Sequence, residues 1–212
     1  MGNIYLLNDD KYDGVVNLPM IKINFFKKEI DLKSYDALIF TSKNGVRAID
    51  NIDKNWIKKD IYSIGQGTSK EIKKHNANLV YTAKSSYGNS FALEIKEKLK
   101  NKKVLFLRAK EVTSKLNQIL IEADIKLEEE VVYETTCRAY NQNHSIDKNS
   151  IIIFTSPTTV KCFLKNFKWD DSCKAISIGE VTASFVPSYI NNTVSQKQTI
   201  ENCIKLAKMA KQ

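Results

Sequence analysis

Small hydroxyl residues follow two apolar stretches of the sequence. Thr41 and Ser42 come directly after one stretch, and Thr155 and Ser156 come directly after the other. A hydroxyl residue at such a place caps the helix that follows, and the first turn of that helix has free backbone N–H groups. These groups bind carboxylates or phosphates without any basic side chain. The chemistry predicted from these residues is therefore anion binding by main-chain amides and alcohols.

A second pair of motifs combines glycine with threonine. Gly65 and Thr68 lie in the sequence SIGQGT, and Gly179 and Thr182 lie in SIGEVT. Each motif follows an apolar stretch and leads into helical sequence. A single serine or threonine before a helix is usually only a cap. Four such helix starts in two matched pairs are explained about equally well by a binding site and by capping alone.

An arginine lies at one of the predicted strand ends. Arg108 ends the sequence VLFLR. Arginine binds carboxylates, so this residue could contact an anionic ligand. A surface charge at a strand end explains Arg108 about equally well.

The paired motifs share one spacing along the chain. Ile39 and Ile153 begin the two IFTS sequences, Ser63 and Ser177 begin the two SIG sequences, and both spacings are 114 residues (153 − 39 and 177 − 63). Two motifs that keep one register indicate a tandem duplication, and a single repeat of this length predicts two similar halves rather than a solenoid. A chain of 212 residues is long enough for two domains of about 100 residues each.

The elements that must position these residues alternate between short strands and helices. Continuously apolar strands separated by helices are typical of parallel sheets covered on both faces, so we predict an α/β fold. In such sheets ligands bind beyond the carboxyl ends of the strands, where all the motifs fall. The predicted strands are Ile4–Leu7, Met20–Phe26, Ala37–Phe40, Ile61–Gly65, Leu79–Tyr81, Val104–Arg108, Val131–Tyr133, Ile151–Phe154 and Ala175–Gly179.

Several helices have clear start or stop signals. Ser156 is predicted to cap a helix with Pro157 at its first position, which is the strongest helix start in the chain. A helix over 89–101 is predicted with Ser90 or Asn89 as its cap. The next helix is expected to turn Val112 inward, and the one after Thr182 is expected to be short or bent because Pro187 follows. The last helix is predicted over 199–209.

Composition, cysteines and missing motifs exclude several classes of function. The formal net charge of +9 is spread along the chain without a dense basic run, so a solvated surface and attraction of an anionic partner explain it about equally well. Walker A, GxGxxG, GxSxG and HExxH sequences are all missing, so the chain lacks the signatures of nucleotide hydrolysis, dinucleotide binding, serine hydrolysis and zinc proteolysis.

We interpret the cysteines as thiols that pack as small apolar groups, since neither they nor the two histidines have ligand-like spacing. The cysteines are Cys137, Cys162, Cys173 and Cys203.

With two FTS motifs, two SIG motifs, VLFLR and VVYETT in this order, the sequence resembles the uroporphyrinogen-III synthase family over most of its length. The resemblance implies two flavodoxin-like domains with parallel sheets, joined by a two-stranded linker, one domain being discontinuous. Carried onto this chain, domain one is 1–26 with 141–212, domain two is 30–133, and the linkers are 27–29 and 134–140.

The resemblance also implies a lyase of porphyrin and heme biosynthesis. Such an enzyme closes hydroxymethylbilane to uroporphyrinogen III, with loss of water and inversion of ring D, and uses neither a metal nor an organic cofactor. It further implies Tyr133, in the sequence VVYETT, as the catalytic residue, acting as general acid in the cleft, although a half-buried strand tyrosine explains this residue about equally well. Thr68 and Thr182 match two threonines of the family's cleft. Together with the strand ends and helix starts described above, the predicted substrate-binding residues are Thr41, Ser42, Gly65, Thr68, Arg108, Thr155, Ser156, Gly179 and Thr182.

The expected partner is a small molecule, the linear tetrapyrrole polycarboxylate, whose charge suits a net positive protein. We expect a monomer that makes at most transient contact with the preceding enzyme and binds neither nucleic acid nor membrane. No apolar run approaches the length of a membrane span and the first residues are unlike a signal peptide, so we predict a cytoplasmic protein.

Two other hypotheses come from different classes. A two-lobed protein that binds or senses an anionic small molecule would show binding without turnover. A response-regulator-like module would need an acidic cluster after the first strand, and the sequence 8–10 (Asn-Asp-Asp) is only a faint version of it.

Overall fold

The computed structural model describes residues 2–84, 87–141 and 144–211 of the chain. These form two compact units. The end unit contains both chain ends, Met1–Lys22 and Thr136–Gln212, and the middle unit is Ile23–Thr135. The chain therefore leaves the end unit once, builds the middle unit without interruption, and returns.

The described residues form strands and helices in near-regular alternation, as predicted for an α/β fold. The strands are β1 (Ile4–Leu6), β2 (Val16–Asn17), β3 (Ile21–Phe25), β4 (Ala37–Phe40), β5 (Asp60–Ser63), β6 (Leu79–Thr82), β7 (Lys103–Ala109), β8 (Lys126–Cys137), β9 (Ile151–Phe154), β10 (Lys174–Ser177) and β11 (Asn192–Val194). The helices are α1 (Lys43–Ile52), α2 (Gln66–Lys74), α3 (Gly88–Ile95), α4 (Leu116–Glu122), α5 (Pro157–Asn166), α6 (Glu180–Ala183) and α7 (Ile200–Met209).

The sheet of the end unit has the strand order β11-β10-β9-β1-β2, and its neighbours pair in parallel. Renumbered within the unit this order is 5-4-3-1-2, the flavodoxin-like arrangement in which ligands bind where the chain order reverses. That reversal lies between β1 and β9. The first hydroxyl motif of this unit follows β9 directly, so the topology places it at the expected binding edge.

The sheet of the middle unit has the order β3-β8-β7-β4-β5-β6. Its five strands from β8 to β6 pair in parallel. β3 lies outside β8 and runs in the opposite direction, since the Phe26 amide donates to the Val132 carbonyl while the Arg138 amide donates to the Met20 carbonyl. β3 and β8 are also the two strands in which the chain passes from one unit to the other.

The spacing of 114 residues found in the sequence relates whole elements of the two units. Adding 114 to the bounds of β4, α1 and β5 gives the bounds of β9, α5 and β10 without a shift, and α2 and α6 begin in the same register. The register changes only after α6, which ends at Ala183 because Pro187 and a turn follow it. The prediction of a tandem duplication and of a short helix here is confirmed.

Each sheet is covered on both faces by apolar side chains from helices. In the middle unit one face packs around Trp56 and Phe40, and the other around Phe91 and Phe106. In the end unit one face packs around Phe154 and Phe163, and the other is a smaller cluster of Ile, Leu, Cys and Ala side chains against α7. Burial on both faces explains why the central strands are continuously apolar in sequence.

Helix starts with a proline or a strong cap were predicted well, and two others were not. The helix α5 starts at Pro157 with Ser156 as its cap, and α7 has Thr199 as its cap. The predicted cap of α3 was wrong, because that helix begins at Gly88 and has no side-chain cap. Val112 does not face the core, since α4 begins only at Leu116 and Val112 is 40% exposed.

Three strands differ from the sequence prediction. β8 covers twelve residues, whereas only Val131–Tyr133 was predicted, because its first half is rich in lysine and glutamate. β2 and β11 were not predicted at all, since each has only two or three residues and lies at a sheet edge. Short edge strands have too few residues to establish a periodic pattern.

A disulfide joins Cys137 and Cys162, with 5.2 Å between their Cα atoms. The interpretation of these two cysteines as packing thiols was therefore wrong. Cys137 ends β8 and Cys162 lies on α5, so only the tertiary fold brings them together. Cys173 and Cys203 are buried free thiols, as predicted.

The described residues contain neither a membrane-spanning helix nor a cluster of metal ligands. None of their helices is both long and apolar enough to cross a membrane. Their His, Cys, Asp and Glu side chains form no group of three or more that could hold a metal ion.

Candidate active site

The hydroxyl motif of the middle unit lies at the carboxyl end of β4, where α1 begins. Ser42 is the N-cap of α1, and its side chain accepts a hydrogen bond from the Asn44 amide at 3.2 Å. Thr41 precedes it and is half-buried. The prediction that Ser42 caps a helix is confirmed, so its hydroxyl already has a structural role.

Tyr133 reaches the same helix start from β8. Its side chain is buried and lies close to the Ser42 side chain. Burial raises the pKa of the Tyr133 hydroxyl above its usual value, and the nearby Ser42 hydroxyl opposes this only in part. At neutral pH the phenol therefore keeps its proton and can act as a proton donor.

The glycine–threonine motif of the middle unit lies at the next helix start. Gly65 has a φ of +74°, in the left-handed region that favours glycine, and α2 begins at the following residue. A Cβ added at Gly65 or at Gly67 would meet no atom within 4 Å, so both glycines border open space. A ligand can approach the backbone closely at this turn.

Thr68 is 6% exposed, yet its hydroxyl finds no hydrogen-bond partner in the part of the chain that the structure describes. No polar side-chain atom of the described residues is both fully buried and unpartnered. The Thr68 hydroxyl must therefore reach the surface, next to the open space at Gly67. This is the environment expected for a hydroxyl that binds a ligand.

Three hydrogen-bonded hydroxyl groups lie next to this turn. The Ser63 and Ser69 hydroxyls lie 2.8 Å apart, and the Ser69 hydroxyl also lies 3.0 Å from that of Thr82. Ser69 donates to the Gly65 carbonyl at 3.1 Å. Sequence reasoning missed these residues, although Ser63 within the predicted strand Ile61–Gly65 is a signal, since a fully buried hydroxyl needs a partner.

Arg108 was predicted to bind substrate, and its guanidinium is occupied within the middle unit. Its Nε donates to the Glu129 carboxylate, and Nη1 donates to the carbonyls of Ala109 and Lys110. A carboxylate ligand would therefore compete with Glu129. The structure shows Arg108 at the end of β7, holding two neighbouring backbone carbonyls.

The hydroxyl motif of the end unit makes more hydrogen bonds than the hydroxyl motif of the middle unit. Ser156 and Thr159 form a capping box at the start of α5, and the Ser156 side chain accepts from the Thr159 amide at 3.2 Å. The Thr155 hydroxyl donates to the Leu7 carbonyl at 3.2 Å, at the end of β1. These bonds fix the geometry of the motif beside the reversal point of the sheet.

The glycine–threonine motif of the end unit differs from that of the middle unit around its glycine. Gly179 has extended backbone and is buried, and a Cβ there would meet the Gln198 side chain at 3.0 Å. Thr182 is 4% exposed, and, as at Thr68, no partner of its hydroxyl is found among the described residues. Sequence reasoning missed Gln198, which lies in a loop without any motif.

Each unit therefore has one sheet edge at which the predicted motifs lie together. In the middle unit the fold brings Ser42 and Tyr133 together, with Thr68 on the neighbouring strand connection. In the end unit Thr155 and Ser156 follow β9, and Gly179 and Thr182 follow its neighbour β10. Each edge has main-chain amides and alcohols at the carboxyl ends of parallel strands, an arrangement suited to an anionic ligand.

Comparison with known families identifies the fold and the motifs. The sequence profile of the family described as uroporphyrinogen-III synthase HemD matches residues 14–205. The chain belongs to the uroporphyrinogen-III synthase family. The resemblance found in the motifs is thereby confirmed, and so is the expectation of a lyase of tetrapyrrole and heme biosynthesis.

Solved structures of the uroporphyrinogen-III synthase family agree with this assignment. The structure of uroporphyrinogen-III synthetase from Helicobacter pylori 26695 is 28% identical, has a TM-score of 0.85, and covers 99% of this chain and 100% of that chain. A mutant uroporphyrinogen III synthase from Thermus thermophilus is 11% identical with a TM-score of 0.55, over 92% of this chain and 88% of that chain, and shows the shared fold alone. No curated protein sequence matches the chain.

Proposed function

We propose that this member of the uroporphyrinogen-III synthase family converts hydroxymethylbilane into uroporphyrinogen III, with loss of water and inversion of ring D. The observation that carries the proposal is the family match over residues 14–205. The full-length similarity to the Helicobacter pylori enzyme supports it.

Tyr133 is the general acid of this proposal. The substrate loses the hydroxyl of its hydroxymethyl group, so a donor must supply a proton as the C–O bond breaks and water leaves. The buried phenol of Tyr133 keeps its proton at neutral pH and lies beside Ser42 at the start of α1. An acid placed within reach of a leaving group accelerates such a step by about 10²–10⁴-fold.

The rest of the reaction depends on holding the azafulvene that forms when water leaves. Ring closure joins two ends of one flexible molecule, so fixing its carboxylate side chains selects which carbon attacks. The hydroxyls of Thr68 and Thr182, for which the described residues offer no partner, and the open backbone at Gly65 support such a role. The proposed substrate-binding residues are Thr41, Ser42, Gly65, Thr68, Arg108, Thr155, Ser156, Gly179 and Thr182.

Three further points belong to the same proposal. The domain limits are 1–26 with 141–212 and 30–133, joined by linkers 27–29 and 134–140. The protein acts as a cytoplasmic monomer on a small-molecule substrate and makes only transient contact with the enzyme that precedes it. Since disulfides are rare in reducing compartments, the state of Cys137 and Cys162 in the cell bears directly on the location.

The deciding assay supplies hydroxymethylbilane from the preceding enzyme, oxidises the products and separates the porphyrin isomers. We expect mainly the type III isomer. Exclusive formation of the type I isomer, which arises spontaneously, would overturn the proposal. Binding of the tetrapyrrole without turnover would instead favour a two-lobed binding protein.

A further inference from the structure

One pair of positions that the duplication makes equivalent differs in charge between the two units. In the middle unit, Arg47 on α1 and Glu71 on α2 form an ion pair with 2.7 Å between Nε and Oε1. Adding 114 to these numbers gives Lys161 on α5 and Phe185 just after α6. The end unit thus keeps the cation and replaces its carboxylate partner with an aromatic ring.

In the part of the chain that the structure describes, Lys161 contacts an aromatic ring instead of a carboxylate. The Lys161 ammonium lies 5.1 Å from the centroid of the Phe185 ring, a cation–π contact. Lys161 is exposed, and among the described residues no Asp or Glu lies within ion-pair distance of it. In the middle unit, by contrast, Glu71 takes up the charge of Arg47 and also that of Lys74. A positive charge therefore remains available to an outside anion at Lys161.

The ring beside this cation belongs to an exposed apolar surface. Phe185 is 44% exposed and Val181 is 51% exposed. They lie four residues apart, and the hydrogen bonds from the Ser184 amide to Glu180 and from the Phe185 amide to Thr182 continue the helical path between them. Val181 on α6 and Phe185 in the turn that follows it are therefore both exposed, while Thr182, between them in sequence, is buried.

These residues lie at the binding edge of the end unit. Val181 is two residues past Gly179, and Lys161 is five residues past the cap Ser156. α5 and α6 are also in direct contact. The surface formed by Lys161, Val181 and Phe185, here called the end-unit platform, thus lies on the two helical segments that follow the motifs proposed to bind substrate.

We propose that the end-unit platform binds one pyrrole ring of the substrate together with a carboxylate of its side chains. The flat ring packs on Phe185 and Val181, and the carboxylate pairs with Lys161. Charge complementarity favours this occupant, since the tetrapyrrole combines apolar rings with anionic side chains. The inference rests on the proposed function and adds a subsite to it.

Steady-state kinetics with hydroxymethylbilane test the platform. We expect Lys161→Gln and Phe185→Ala each to raise KM about tenfold with kcat within about twofold, the pattern of lost substrate binding. Lys161→Arg should restore most of the affinity. Lys165→Gln removes the same charge one turn further along α5, and we expect its KM to stay at the wild-type value.

Phe185→Glu is the sharpest variant, because it rebuilds the arrangement of Arg47 and Glu71 in the end unit. We expect a KM higher than that of Phe185→Ala, together with stability in urea at least equal to that of Phe185→Ala. A purely structural role of Phe185 would give the opposite order of KM values.

The outcomes separate this inference from the function itself. If the wild type forms no type III isomer, the proposed function fails. If the wild type forms it and Lys161→Gln and Phe185→Glu keep their KM within twofold of wild type, the platform proposal is overturned while the function stands.

Discussion

The hydroxyl of Tyr133 on β8 lies close to the side chain of Ser42, which follows β4, although β7 lies between these two strands in the sheet. The phenol therefore extends over the end of β7 to the first turn of α1. Because Ser42 also caps that helix, the proposed acid lies beside the free backbone N–H groups of a helix start.

Replacing Tyr133 by phenylalanine should leave the protein folded and slow formation of the type III isomer. The ring stays in place and only the hydroxyl is lost, so we expect kcat to fall about 100-fold, as for loss of a general acid. Isomer analysis after oxidation measures the rate, and circular dichroism reports the fold.

The matched control is Tyr62→Phe, which removes another buried phenol of the same sheet. Tyr62 lies on β5, and its hydroxyl donates weakly to the Lys98 carbonyl. We expect wild-type kcat for this variant. Equal losses in both variants would argue against a chemical role of Tyr133.

The buried carboxylate of Glu71 should make stability depend on pH in the acid range. Arg47 and Lys74 lower the pKa of Glu71 to about 2. The folded protein therefore holds this proton more weakly than the unfolded chain, so the stabilisation is complete above about pH 5 and is lost as pH falls towards 2. Urea unfolding at pH 6 and pH 3 should show a contribution of the order of 1–3 kcal/mol that is absent from Glu71→Gln.

Glu97→Gln serves as the control for this pH dependence. Glu97 is exposed and pairs with Lys100, one turn away on the surface. Such pairs contribute little to stability, so the pH dependence of this variant should match that of the wild type. The prediction for Glu71 would be contradicted if Glu71→Gln and wild type lost stability in parallel from pH 6 to pH 3.

The disulfide between Cys137 and Cys162 should lower the number of thiols that can be titrated. We expect two titratable thiols, Cys173 and Cys203, in the unfolded protein without reductant, and four after reduction. Cys137→Ser should lower the free energy of unfolding by about 3 kcal/mol, the order expected for a loop of this length. Four thiols before reduction would show that the bond does not form.

Two glycines near the starts of neighbouring helices should respond in opposite ways to alanine. A Cβ at Gly45 would lie 3.0 Å from the Leu107 carbonyl oxygen of β7, and a Cβ at Gly67 would meet nothing within 4 Å. We expect Gly45→Ala to lower the free energy of unfolding by about 1–2 kcal/mol. Gly67→Ala should raise it by up to about 1 kcal/mol through helix propensity, yet raise KM by filling the open space at Thr68. Urea unfolding and KM values check both.

Much of the fold could be predicted from the sequence because local signals and the repeat agreed. The apolar strands with hydroxyl or glycine turns after them predicted β4, β5, β9 and β10, and a constant offset indicated two similar halves. Prediction failed where local signals are weak. The first half of β8 is highly charged and is a strand only because β7 pairs with it.

The candidate site was predicted as a set of positions, but not as a set of contacts. Nothing in the sequence links Tyr133 with Ser42, since they are brought together by strand order. The pairing of Arg108 with Glu129 likewise depends on the register of β7 and β8. The difference between Glu71 and Phe185 was visible in the sequence, because the offset of 114 residues aligns them. Only the structure shows that Glu71 pairs with Arg47, and so what the end unit lacks at Phe185.

The interrupted end unit has a consequence for how the chain is made on the ribosome. The residues of β1 and β2 emerge first, yet their neighbour β9 is synthesised only after the whole middle unit. The middle unit can complete its own sheet during translation, whereas the amino-terminal strands must wait for their partner with apolar side chains uncovered. A nascent chain stalled before Ile151 would therefore expose this segment to chaperones and proteases, while the middle unit would already be protected.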